Sequence, residues 1–346
     1  MRLSMRTALV LTLILTLFPL SAPAWDRGDV KQFAALPAGE AHPEGITVDV
    51  AGNVYVTTFA VNKPVGSPGS LFVFKHDGNL LRQVTIAGSS RFLLDLAFHP
   101  TTGALLVIDF GNAQVLSVNP VTGASSVFMT VTGSAGLNVL TFDDGGNVYV
   151  SDSFQGIIWK TSSAGGAGTA WASSPLLTTS GIPPFGANGL AFNQNRTALF
   201  VANTGNDTVV KIPVSGSPLT PGTPEVFVNS INGADGLIID EDDNIWVAAN
   251  QADEIVVIEP TQGRVIAKLG DFNGVNKDGA PNGFLFPASL VFHGKDVFVT
   301  NLSLNLVSAL GNPAARTVDS AWADQVTTHT ISIIKNRIPK IKGLAD

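Results

Sequence analysis

One pattern recurs six times along this 346-residue chain, and few folds can accommodate it. A polar or small residue opens a short apolar strand, a tight turn follows, and a second apolar strand runs back. The first copy reads Glu44-Gly-Ile-Thr-Val-Asp49 and then Gly52-Asn-Val-Tyr-Val-Thr57. The other copies open at Leu94, Asn138, Asn188, Asp235 and Ala288, at intervals of 50, 44, 50, 47 and 53 residues. In the first five copies a third apolar strand follows, as at 71–74 and 255–258, and a fourth precedes the next opening, as at 126–129 and 225–228. Four short strands per repeat of roughly 40–50 residues is the signature of a propeller blade. The chain is therefore predicted to be all-β, a six-bladed β-propeller. Two stacked three-bladed lobes, or a β-helix, are the competing readings of such irregular spacing.

The sixth copy finds its third strand late, at 330–334, and has no fourth. A spare strand lies ahead of the first copy, at 30–34. Pairing it into the last blade would join the two ends of the chain and cover an open edge. On this reading residues 25–346 form a single domain. The stretch 302–329 is far longer than its counterparts in the other copies. It is expected to be a lid over one end of the ring, with a helix near 317–325, or else a decoration outside it.

Arg2 and Arg6 precede an uncharged run over 8–20 and then Ala22-Pro23-Ala24, the parts of a secretory signal cleaved after Ala24. The run is too short to span a bilayer, which takes about 20 apolar residues. Its removal takes the net charge from −7 to −9 and predicts a secreted or periplasmic protein without membrane attachment. The chain has no cysteine, which excludes disulfides, thiolate metal centres and cysteine nucleophiles. An acidic balance without clustered Lys and Arg argues against nucleic acid as a partner. Neither a phosphate-cradling glycine loop nor a G-x-S-x-G elbow occurs.

Chemistry is concentrated at the opening position of each repeat. The innermost strand of every blade lines the central channel, so equivalent side chains converge near the axis. Of the six opening residues, Glu44, Asn138, Asn188 and Asp235 carry oxygen donors, whereas Leu94 and Ala288 do not. Glu44 and Asp235 would repel each other in a confined channel unless a cation lay between them. Two carboxylates and two amide oxygens suit a hard divalent ion, Ca²⁺ best, with Zn²⁺, Mn²⁺ or Mg²⁺ as alternatives. A metal-free polar funnel is the other reading, because Asn and Asp before a strand also satisfy turn amides. His42, two residues before Glu44 on the same rim, is a candidate base or else a solvated loop residue. His329 could reach the mouth only if the long stretch folds inward. Asp95 is expected to pack behind the channel position. Asp49, Asp143, Asn193 and Asp240 read as turn formers at the far end, and Asp109, Asp152, Asn203, Asn250 and Asn301 as partners of loop backbone.

The series Glu44, Asn138, Asn188, Asp235 in a six-bladed propeller resembles the regucalcin/gluconolactonase family, with Asn188-Gly-Leu-Ala-Phe and Asp235-Gly-Leu-Ile-Ile-Asp the closest local matches. The resemblance implies that these four side chains hold one divalent cation, Ca²⁺ foremost. It also implies that Asp235 serves as general base or nucleophile and that the substrate is a small lactone or related ester. There are two departures. Gly136-Leu137 stands where gluconolactonases of this family commonly carry a sugar-gripping arginine, and His42-Pro-Glu44-Gly differs from their usual Glu-x-Pro opening. Both bear on a gluconolactone substrate and leave the metal set intact. Gly-Ile-Thr-Val-Asp and Gly-Asn-Val-Tyr-Val equally resemble NHL-type propellers, so a non-catalytic binding propeller is the alternative. The four-oxygen set discriminates, since a purely binding propeller has no need of it.

Overall fold

A computed structural model describes residues 27–335; the export signal expected at 1–24 lies outside the described residues. The first blade runs Pro43–Val48, Val54–Thr58, Ser70–Phe74 and Leu80–Thr85, each strand antiparallel to the one before. The next four blades repeat this order outward from the axis. In the sixth, Pro287–His293 and Asp296–Asn301 are followed by Thr330–Ile334, and Val30–Ala35 from the start of the chain pairs outside it, Val30 opposite Ile334.

The turn after each inner strand follows the sequence reading. Asp49 accepts hydrogen bonds from the backbone of Ala51 and Asn53, the Asn53 amide and the Tyr55 hydroxyl. Asp143 does the same with Gly145, Asn147 and Tyr149, and Asp240 with Asp242, Asn244 and the Trp246 indole. Burial alone would raise the Asp143 carboxyl, but these bonds and nearby Lys160 outweigh it and hold the group below its usual range. Each carboxylate therefore anchors both the turn and the next strand.

The core is divided among the blade faces. Six apolar clusters lie between neighbouring sheets, each assembled from two blades, and the last closes the circle. It joins Ala34, Phe298, Ile331 and Ile333 of the sixth blade to Ile46, Val56, Phe72 and Phe74 of the first. A seventh cluster, with Phe286, Leu302, Leu304 and Leu306, lies under the long stretch. At about 1.5–3 kcal/mol per fully buried large apolar side chain, these interfaces can hold the ring without covalent links.

Two features go beyond the expectation. A hairpin, Phe272–Val275 with Pro281–Gly283, is inserted before the sixth blade. The stretch 302–329 has its helix at Ser320–Ala323, shorter than expected, and another at Leu306–Leu310. Gly311, left-handed at φ 63°, ends the earlier helix, and Pro313 two residues on forbids its continuation. The inserted hairpin braces the stretch: the Thr327 and Thr328 amides both donate to the Gly279 carbonyl, and Phe272 meets Trp322 edge-on.

All six inner strands lose register at the same place, between Pro43 and Ile46, Leu93 and Leu96, Leu137 and Leu140, Ala187 and Leu190, Ala234 and Leu237, and Pro287 and Leu290. Each break contains the opening residue of its repeat. A bulge of this kind bends the strand and re-aims a side chain. It also packs tightly: a Cβ on Gly189 would lie 2.4 Å from both the Asp235 carbonyl and the Leu237 amide of the next blade. Gly189→Ala should therefore cost about 1–3 kcal/mol, the usual penalty for overpacking, measured as a lower denaturation midpoint. An unchanged midpoint would mean that the bulges are not in rigid contact.

Candidate functional site

The bulges deliver Glu44, Asn138, Asn188 and Asp235 to the wall of one cavity at the channel mouth. Each is 5% exposed or less. The residue just after the second strand of the same blade holds three of them from the side. Ser153 accepts from the Asn138 amide at 3.1 Å, Thr204 from the Asn188 amide at 3.0 Å, and Asn250 donates to the Asp235 carboxylate at 2.8 Å. The two hydroxyls pass their own protons to the Ala187 and Ala234 carbonyls of the next blade. Glu44 is fixed through its backbone, whose carbonyl accepts from the Thr300 hydroxyl at 2.6 Å.

After these bonds are made, oxygens remain over. Glu44 Oε2, Asn138 Oδ1 and Asn188 Oδ1 are buried without a hydrogen-bond partner, half of all such side-chain atoms among the described residues. A buried unpaired oxygen costs roughly 1–3 kcal/mol, so three in one cavity mark a place built for something electropositive. Burial raises the Glu44 carboxyl well above its ordinary value, and the charges of Asp235 and Asp95 add to the rise. Burial also takes Asp235 up to about 7, against hydrogen bonds from Asn250 and Asn188. Two carboxyls and two amide carbonyls suit a hard divalent cation. Among the described residues no group of three or more His, Cys, Asp or Glu is disposed to hold a metal, and half of this set is asparagine.

Asp95 lies behind the ring, accepting from the Leu140 amide at 3.0 Å, and burial raises it to about 7. Asp109, Asp152, Asn203 and Asn301 tie down loops: Asp152, for instance, accepts from the amides of Gly136, Phe154 and Gln155. Asn250 differs, because its amide reaches Asp235 instead of loop backbone. It stands one place beyond the others, beside Ser153 and Thr204, and aligning the second strands by their end residues would have exposed that offset. His42 does not line this cavity. Its Nδ1 lies 3.0 Å from the Leu302 carbonyl, and its ring meets His329 edge-on at 4.5 Å. The two histidines line a separate cavity of about 490 Å³, and burial lowers both, His329 to about 3. This position separates His42 from the side chains beside which a base would act.

The mouth cavity measures about 50 Å³. That is room for a few waters or a partly hydrated ion, against the roughly 300–1,000 Å³ of a typical ligand pocket. Its outer wall is the long stretch: Leu302, Leu304, Leu306, Ala309 and Leu310 close over the polar ring. Among the described residues no helix is long and apolar enough to cross a membrane.

Residues 183–270 match the family model described as the SMP-30/gluconolactonase/LRE-like region. No curated protein matches the chain. Among solved structures, a luciferin-regenerating enzyme is similar at TM-score 0.63 and 16% identity, covering 92% of this chain and 98% of its own. Regucalcin from Agrobacterium tumefaciens, a calcium-binding protein, is similar at TM-score 0.57 and 16% identity over 90% and 98%. A gluconolactonase from Xanthomonas campestris is similar at 0.57 and 12% over 79% and 86%. Identities this low establish the shared propeller alone.

One buried contact fastens the long stretch to the rim. Asp253, which accepts from the Phe286 amide at 2.8 Å, is hydrogen-bonded through its carboxyl to that of Asp319. Burial and then the Asp319 charge raise Asp253 to about 8; burial raises Asp319 to about 6 against the bond from Asp253. The adjacent Glu254 is neutralised by Arg27 and Lys268. Both folded values exceed the ordinary carboxyl value near 4, so the native pair holds protons that the detached state has lost. The fastening is therefore strongest below about pH 4 and weakens as pH rises through 6 to 8. Amide protection across 302–329, taken relative to the intrinsic exchange rate at each pH, should fall in that window, and Asp253→Asn should flatten that fall. The same loss of protection in the variant would remove the pair as its cause.

Proposed function

Since the chain is regucalcin/gluconolactonase-like, in its fold and in sequence over residues 183–270, we propose that it is a hydrolase that opens a lactone or cleaves a related ester. The reading includes export, with the N-terminal 24 residues removed. One observation carries it: four convergent oxygen-bearing side chains, Glu44, Asn138, Asn188 and Asp235, three of which keep a buried oxygen without a partner. Bound among them, Ca²⁺ or another divalent ion would supply polarisation of the carbonyl and stabilisation of the negative charge that develops on its oxygen.

The chain's own residues supply the rest. Asp235, oriented by Asn250 and Asn188, takes a proton from the attacking water. Water oxygen adds to the carbonyl carbon, the ring C–O bond breaks, and the proton passes to the departing alkoxide, giving a hydroxy acid. The apolar wall of Leu302, Leu304 and Leu306 keeps bulk water from the reacting carbonyl.

Thermal denaturation should respond to the ion. At a hundred times its dissociation constant, Ca²⁺ should stabilise the fold by about 2.7 kcal/mol, reversed by EDTA. No shift with any divalent ion, together with no lactone or ester turnover, would favour the binding propeller. Asp235→Asn should reduce hydrolysis by roughly 10²–10⁴, the range of general acid–base contributions, with the melting temperature of the ion-free protein almost unmoved. Full turnover by that variant would take Asp235 out of the reaction.

A further inference from the structure

The mouth is chemically lopsided. Its polar atoms are confined to the floor, and nearly all are spoken for. Thr204 donates to the Ala234 carbonyl and accepts from Asn188, while Asn250 donates to Asp235 and accepts from Gln251. The oxygens left over belong to Glu44, Asn138 and Asn188 of the four-residue ring. Above the floor the wall is Phe59, Leu94, Phe185, Phe286, Leu302 and Leu306, and no Lys, Arg or His lines the cavity.

The apolar wall continues outward. Phe59 stacks on Phe92 at 4.5 Å and meets Phe110 edge-on at 5.8 Å. Phe110 reaches Phe154 at 5.6 Å and Phe185 at 6.2 Å, and Phe154 stacks on Phe185 at 6.0 Å. This aromatic arc runs from the cavity to solvent, where Phe154 is 50% exposed. Gly136 makes room for it, since a Cβ there would lie 2.7 Å from the Phe154 ring.

From this lining we propose that the substrate is a lactone or ester bearing a hydrocarbon substituent, bound with its carbonyl on the polar floor and its alkyl chain along the aromatic arc. The assignment rests on the hydrolase reading and narrows it. A polyhydroxylated ring would bury hydroxyl groups opposite Phe and Leu with nothing to bond them, and a site with no partner for a hydroxyl selects against it. A hydrocarbon chain instead takes the place of Leu306, Ala309 and Leu310, so the apolar wall stays covered when the lid lifts.

The test uses Ca²⁺-loaded protein and γ-lactones whose alkyl substituent grows from none to seven carbons, with glucono-δ-lactone alongside. kcat/KM should rise about fourfold per added methylene, the factor for burying one such group, and glucono-δ-lactone should lie at least a hundredfold below the longest chain. A flat series, or glucono-δ-lactone as the better substrate, overturns the assignment while leaving the hydrolase reading in place. Calorimetry with a 2-alkylcyclopentanone, which has no ester bond to cleave, separates the two ideas. Binding that tightens with chain length, without turnover of any lactone, upholds the apolar site and rejects the hydrolase. Neither binding nor turnover rejects both. Phe185→Ser should weaken the ketone about tenfold with the Ca²⁺-induced melting shift intact; unaltered affinity would remove the arc from recognition.

Discussion

The structure depends on a defect repeated six times. A regular inner strand would alternate its side chains between the two faces of its blade and point none of them squarely down the axis. The bulge in each inner strand breaks that alternation at one residue and aims it into the channel. Because the bulges touch one another through glycine at Gly45, Gly189 and Gly236, their spacing around the axis is set by backbone contact instead of by flexible side chains. Oxygens held by such a frame cannot retreat from one another, so charging Glu44 and Asp235 together stays costly in the folded ring.

The same six-fold position explains why the mouth is divided. On the third, fourth and fifth blades the residue following the second strand is Ser153, Thr204 or Asn250, and each positions a polar side chain on the floor. On the first, second and sixth blades the equivalent residue is Phe59, Phe110 or Leu302, which begins the apolar wall. Polar and apolar halves are thus written by one register position in each blade. Their boundary crosses the channel, with Glu44 on the apolar side supplying the lone oxygen donor of that half.

Much of this was legible in the sequence because it repeats. The six openings, the turn aspartates and the channel residues recur at one register, and period-two strands announce themselves wherever one face is buried. What could not be read belongs to single occurrences. Asn250 resembles Asp109 and Asp152 in following an apolar strand, but it stands one place beyond the strand end, and that single-residue offset sends it to Asp235. His42 sits two residues from Glu44, but a positive φ of 58° turns it toward Leu302 and His329. The inserted hairpin at 272–283 and the helix at Leu306–Leu310 have no counterpart in other blades. The aromatic arc is assembled from Phe residues in five different loops, so no local pattern could announce it.

The union of Val30–Ala35 with Thr330–Ile334 has a kinetic meaning as well as an architectural one. This contact spans almost the whole chain, which places it among the slowest kinds of contact to make. Until residues near 330 have emerged, the first blade lacks its neighbour across the seam, and Glu44 lacks the Thr300 hydroxyl that holds its backbone. A growing chain therefore has five stacked blades and an incomplete oxygen ring. The complete mouth comes into being only when the two ends meet, so a truncated product would lack it however well its blades had packed.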